Sequence, residues 1–257
     1  MDQHDFDRLI ARLPTLAPHA DFVRALLRPC VRIRLTDQAP EGTQSRLAGI
    51  PTLPPGFDWP RHDASLYYCL GQINFAEIVN RPDALPETGV LVLLYADHDP
   101  TIDSDAGDIF WRDEGYMKAW YFEDPSALVP TMVPHGRGAQ GLRITLSGEL
   151  DLPRHSELCK DPPFDFAVLD KAIDDPDACI GRPSANPLLA TDYLLGYPSH
   201  YSLGYDPTPG PEWVPLLTLH SHDKLEWCWQ DGNKLMVFIE RDRLAARDFS
   251  VLRCDAG

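Results

Sequence analysis

The sequence predicts an α+β, strand-rich domain in which two short N-terminal helices precede two related β-rich halves. Three observations carry that expectation. Apolar residues recur at helical spacing near the start of the chain, the period then changes to two, and one β unit is followed later by a similar one.

Phe6, Leu9, Ile10 and Leu13 fall three and four residues apart until Pro14 stops the turn. Phe22, Val23, Leu26 and Leu27 repeat the pattern up to Arg28-Pro29. These two helices make residues 1–29 an N-terminal segment packed on a main domain of residues 30–257. From Val31, Ile33 and Leu35, alternating with Arg32 and Arg34, the period is two. Strand-like stretches follow at 65–73, 89–96, 115–122, 142–147, 213–220, 234–240 and 249–254, with all of the 25 prolines but Pro215 outside them, where a missing N–H does least harm. Helical spacing returns at 164–173 and at 241–247.

The repeat pairs Tyr68–Asn74 and Glu87–Leu93 with Pro215–Ser221 and Asp231–Phe238. In each copy a strand, a loop and a turn carrying glycine lead into a second apolar strand; Asp231-Gly232-Asn233 is a strong turn because these residues accept positive φ. The copies span about 30–147 and 187–257, joined by an acidic linker region.

The chain carries 23 Lys+Arg against 39 Asp+Glu, a formal net charge of −16. That balance argues against nucleic acid and anionic lipid as direct partners, since both need a basic footprint. The longest apolar run, Val90–Ala96, is far short of the roughly 20 residues of a bilayer-spanning helix. An acidic N-terminus without an apolar stretch, together with six scattered cysteines lacking any C-x-x-C pair, predicts a cytoplasmic protein without disulfides. Cys228, between Trp227 and Trp229, reads as a buried, unreactive thiol.

Catalytic motifs are weak. Gly136-Arg137-Gly138-Ala139-Gln140-Gly141 matches a dinucleotide fingerprint by letter, but a strand pattern, Leu142–Leu146, follows it where a helix is required. The Asp97–Asp108 loop lacks the glycine and glutamate register of a calcium loop and reads as solvated turns. His220 and His222, on one strand face beside Asp223, could hold zinc only with a distant third ligand. No cofactor, metal site or catalytic set is therefore assigned.

A resemblance enters at Gly49, Pro51, Pro54, Gly56, Trp59 and Pro60, followed by Gln72 and Asn74 at a strand end. It continues through Leu194-Leu195-Gly196-Tyr197-Pro198 to Asp231 and Gly232. The order of these motifs, over about 46–254, resembles the YwqG-like family, a bacterial domain of unknown function. One departure is His220, where that family commonly has Gln. The resemblance implies an α+β domain with an internal duplication and no established catalytic residues; some relatives act as immunity or antitoxin proteins beside secreted toxins. Physically, the prolines fix the loop, Gly56 lends it flexibility, Trp59 plugs the core beneath it, and Gln72 and Asn74 satisfy loop backbone groups.

The acidity is uneven. Residues 97–125 hold nine acidic side chains against two basic ones and residues 149–177 nine against three, so these segments carry 13 of the 16 excess negative charges. They point to a basic protein partner, such as a nuclease toxin encoded nearby, whose phosphate-binding groove the acids would occupy. The partner-binding candidates are Asp97, Asp99, Asp103, Asp105, Asp108, Asp113 and Glu114 in the first segment, and Asp161, Asp165, Asp170, Asp174, Asp175 and Asp177 in the second. Interleaved aromatics, Phe110, Trp111, Tyr116 and Trp120–Phe122 among them, could anchor the contact, though those at strand spacing should face the core. The expected function is thus a non-enzymatic immunity-type protein. The alternative is a small-ligand protein or enzyme using the polar strand ends at Gln72, Asn74, His220, His222 and Asp223.

Overall fold

The computed structural model describes residues 3–62, 65–98, 109–134, 140–169 and 192–257. Strand dominates these residues, and an 11-stranded sheet curls into a nearly closed barrel. The strands are β1 (Arg28–Leu35), β2 (Arg46–Leu47), β3 (Thr52–Leu53), β4 (Ser65–Asn74), β5 (Ile78–Val79), β6 (Val90–His98) and β7 (Met117–Phe122). After them come β8 (Val129–Pro130), β9 (Leu142–Asp151), β10 (Tyr193–Leu195), β11 (Trp213–His220), β12 (Lys234–Glu240) and β13 (Arg253–Ala256). The strand order is β13-β12-β11-β10-β1-β9-β2-β4-β6-β7, with β5 alongside β9; β3 and β8 form a separate pair.

The antiparallel pair β1·β9 lies at the centre, with a four-stranded meander on each side. Both meanders use the same registers. Arg46 stands opposite Arg143 and Gln72, as Tyr193 stands opposite Arg32 and Thr218. Each long second strand carries a bulge, at Leu70 in β4 and Leu216 in β11, and both bulged side chains are fully buried. Each short first strand leads into a left-handed residue and a left-handed glycine: Ala48 (φ 54°) and Gly49 (φ 76°), then Leu195 (φ 60°) and Gly196 (φ 70°). Pro51 and Pro198 stand two residues beyond these glycines.

The glycines answer close packing as well as backbone shape. A Cβ on Gly49 would lie 2.6 Å from the Cα of Gly141, and one on Gly196 would lie 2.6 Å from Asp151 Oδ2. Gly141, the last residue of the letter-match to a dinucleotide fingerprint, thus serves loop packing and opens into β9; residues 135–139 lie outside the described set.

The interior fills because β6 is apolar on both faces: Val90, Leu91, Val92, Leu93, Leu94 and Ala96 are all buried. The two ends of the sheet approach each other. Arg112, just before β7, donates to Asp255 in β13 at 3.0 and 2.7 Å, and Phe249 stacks near Tyr121 and Phe75 at the opposite end.

α-Helix among the described residues is limited to α1 (Gln3–Arg12), α2 (Ala20–Ala25), a turn at 166–169 and α3 (Arg241–Ala245). Phe6, Leu9, Leu16 and Val23 share a small second core with Leu152 and Leu169, away from the barrel interior. Two expectations are corrected here. Residues 249–252 form no strand, because Phe249 turns inward to close the barrel and pairing with β12 begins only at Arg253. Cys228 is exposed: the side chains alternate here, so burying Trp227 and Trp229 turns the thiol outward.

Candidate functional site

The loop motifs are tied down by polar side chains, Gln72 and Arg46 buried and Asn74 half-buried. Gln72 Oε1 accepts from the Thr52 N–H and hydroxyl at 2.7 and 2.8 Å, and its Nε2 donates to Gln44 O at 3.2 Å. Asn74 Nδ2 donates to Thr43 O at 3.3 Å while Oδ1 accepts from Ala76 N–H at 3.1 Å. Arg46 adds donors to the carbonyls of Gln44, Gly42 and Ile50. A peptide loop leaving a sheet carries unpaired backbone groups, and these three side chains satisfy them. Trp59 is half-buried and donates to Tyr67 O at 3.3 Å. Pro51 and Pro198 are buried, Pro54 and Pro60 are half-buried, and Gly56 (φ 74°) turns the exposed tip. Asp231 (φ 59°) and Gly232 (φ 91°) form the turn into β12.

The second meander uses the same device with different chemistry. The N–H of Asn74 donates to Ser45 Oγ at 2.9 Å, and the N–H of His220 donates to Asp192 Oδ1 at 2.7 Å. Asp192 Oδ2 meets His222 Nε2 at 2.7 Å. β11 ends at His220, so His222 lies beyond the strand, in the turn that leads to Asp223, with ring centroids 5.8 Å apart between the two histidines. Among the described residues no group of three His, Cys, Asp or Glu could hold a metal ion.

A buried polar cluster lies against β10. Arg154 donates to Asp151 at 3.1 Å and to the Tyr193 hydroxyl at 3.0 Å; Tyr193 donates to Tyr197 O at 2.8 Å; Tyr197 N–H returns to Asp151 at 2.9 Å. Burial, opposed in part by Arg154, pushes the Tyr193 hydroxyl up to about 12. Beyond it the His155 and His200 rings stack at 3.9 Å. Burial, then the neighbouring His200, lowers His155 to about 4, so it is neutral near pH 7 and accepts from His200 N–H at 3.3 Å. Lys234 donates to Ser199 at 2.6 Å and lies over the Tyr201 ring. Spacing gave no sign of Asp192, Lys234 or the histidine stack, since each pairs with residues 28 to 45 positions away.

β1, β6 and β11 run the same way through the alternating sheet, so their C-terminal ends share one rim of the barrel. Asp97, Asp113 and Glu114 stand exposed there, beside the 221–233 loop with exposed Asp223, Glu226 and Asp231. Tyr95 meets Trp229 at 5.3 Å, which joins the two loop groups, and burial followed by Asp97 raises the Tyr95 hydroxyl. Phe110 is 55% exposed, Tyr201 60% and Tyr205 42%. Asp113 Oδ2 accepts from Phe110 N–H at 2.7 Å and so fixes the turn that presents that ring. Tyr116 is buried, and Trp111 and Trp120–Phe122 pack against the core.

Asp161 and Asp165 leave from the opposite end, where Phe164 packs on Phe22 and His19 of the helical segment. The described parts of the two acidic segments therefore do not form one surface. Asp99, Asp103, Asp105, Asp108, Asp170, Asp174, Asp175 and Asp177 lie outside the described residues.

These features define a strand-rich barrel with a rim of acids and exposed aromatics. Residues 45–256 match the model of a family described as Domain of unknown function (DUF1963), and the chain belongs to that family. No curated protein matches the chain. No helix among the described residues is long and apolar enough to cross a membrane.

Proposed function

We propose that this protein is a non-enzymatic cytoplasmic binder of a basic protein, of the immunity or antitoxin type, neutralising a toxin encoded nearby. The observation that carries the reading is the company of Phe110, Tyr201 and Tyr205, exposed at the rim that bears Asp97, Asp113, Glu114, Asp223 and Glu226. Large aromatic rings anchor protein interfaces, and surrounding like charges steer a partner of opposite sign. The resemblance to the YwqG-like family, some of whose members act beside toxins, supports the same reading.

We further infer that the two meanders are an internal duplication. Support comes from Arg46-Leu47-Ala48-Gly49-Ile50-Pro51 and Tyr193-Leu194-Leu195-Gly196-Tyr197-Pro198, which occupy matching registers, and from the shared bulge position. On that reading each unit starts at its own central strand, so the division falls before β9 rather than after 147.

Co-expression with the product of the adjacent gene tests the functional reading. A salt-sensitive complex and restored growth are expected. The proposal fails if no neighbouring gene encodes a basic protein that is toxic to cells lacking this chain.

A further inference from the structure

The end of the barrel opposite the acidic rim opens into a cleft of about 1310 Å³. The starts of β1 and β11 and the end of β10 form part of its lining, together with the 81–87 loop, the 206–211 loop and α3. Apolar surface comes from Pro29, Pro86, Leu195, Trp213, Val214 and Leu244. The charges on the walls differ in sign from the chain as a whole: Arg28, Arg81, Arg241 and Arg247 against Asp83, Glu87 and Asp206, in a protein of net charge −16.

Two of the arginines have structural partners. Arg247 pairs with Glu123 at 2.7 Å, and Arg81 lies 3.6 Å from Glu87 and donates to the carbonyls of Pro82 and Leu85. Arg28 and Arg241 differ: no carboxylate among the described residues pairs with either. The Arg28 side chain is nonetheless positioned. The Arg28 guanidinium lies 3.9 Å from the centre of the Tyr197 ring, and Tyr197 is itself fixed by donating its hydroxyl to Leu26 O at 2.6 Å and its N–H to Asp151. Stacking covers one guanidinium face and leaves N–H groups at its edge for an acceptor. Arg241 opens α3, with its backbone N–H tied to Glu212 O at 2.8 Å and its side chain exposed.

Concave, mostly apolar walls with a few convergent charges are the usual form of a small-molecule site, and arginine without a carboxylate partner suits carboxylate and phosphate oxygens. We propose that this cleft binds a small organic anion, a carboxylate or phosphate on an apolar body, recognised by Arg28 and Arg241. This site is distinct from the rim and does not depend on the partner proposed for it.

The test uses the whole chain and 8-anilinonaphthalene-1-sulfonate, whose sulfonate stands in for the acid and whose rings stand in for the apolar body. Saturable fluorescence is expected, about tenfold weaker in R28Q/R241Q and unchanged in R61Q, whose arginine does not line the cleft. Should the double variant lose its far-ultraviolet circular dichroism, Arg241→Gln alone is read, with weakening of about threefold expected. Displacement by benzoate points to a carboxylate ligand and displacement by phenyl phosphate to a phosphate. The proposal is overturned by affinity unchanged in folded R241Q and R28Q/R241Q, by displacement with neither acid, or by the absence of saturable binding.

Discussion

Gly196 and Asp151 meet where backbone strain, packing and charge coincide. Alanine at Gly196 would carry φ 70° and press its Cβ onto a carboxylate oxygen at 2.6 Å. Gly196→Ala should cost about 2–3 kcal/mol in urea unfolding, and Gly49→Ala a similar amount against the Gly141 backbone. Arg154 is the cation of a buried pair, and Arg154→Met would leave Asp151 without that partner, at a cost of about 3–5 kcal/mol by the same measurement. His155 sets a pH dependence. Its folded value of about 4 lies below the ordinary 6.5, so the unfolded chain takes up the proton first. Stability is therefore full above pH 6.5 and falls as pH drops from 6.5 towards 4. His155→Gln should flatten that part of the stability profile, by on the order of 2 kcal/mol across the window.

At the scale of elements, the helices and the barrel rest on separate cores. Phe6 is fully buried in the small core with Leu152 and Leu169. Phe6→Ala should destabilise by about 3 kcal/mol, with hydrogen exchange rising in α1 before the barrel strands open. Element length decided what could be read from sequence. β4, β6, β9, β11 and β12 run for seven to ten residues and declare themselves by period or apolar content. β2, β3, β5, β8 and β10 span two or three residues and depend on partners distant in sequence, so no local pattern marks them. Gln72 and Asn74 were legible because an amide at a strand end among apolar residues has few uses besides holding loop backbone. Asp192 was not, since its partners His220 and His222 lie 28 and 30 residues on.

At the scale of the whole molecule, charge was legible as an excess and only partly as a place. Asp97, Asp113 and Glu114 share a rim with acids of the 221–233 loop that their own segment gives no hint of, because the sheet brings Tyr95 against Trp229. Asp161 and Asp165 depart with the helices instead. Closure of the sheet through Arg112 and Asp255 thus shapes the proposed binding face as well as the fold. Calorimetric titration of the purified chain with the product of the adjacent gene, the proposed basic partner, tests that face most directly. Affinity should fall with added salt, and fall by a further factor of about ten or more in Glu114→Lys/Glu226→Lys and again in Phe110→Ser. A complex whose affinity ignores salt and all three substitutions would contradict the account.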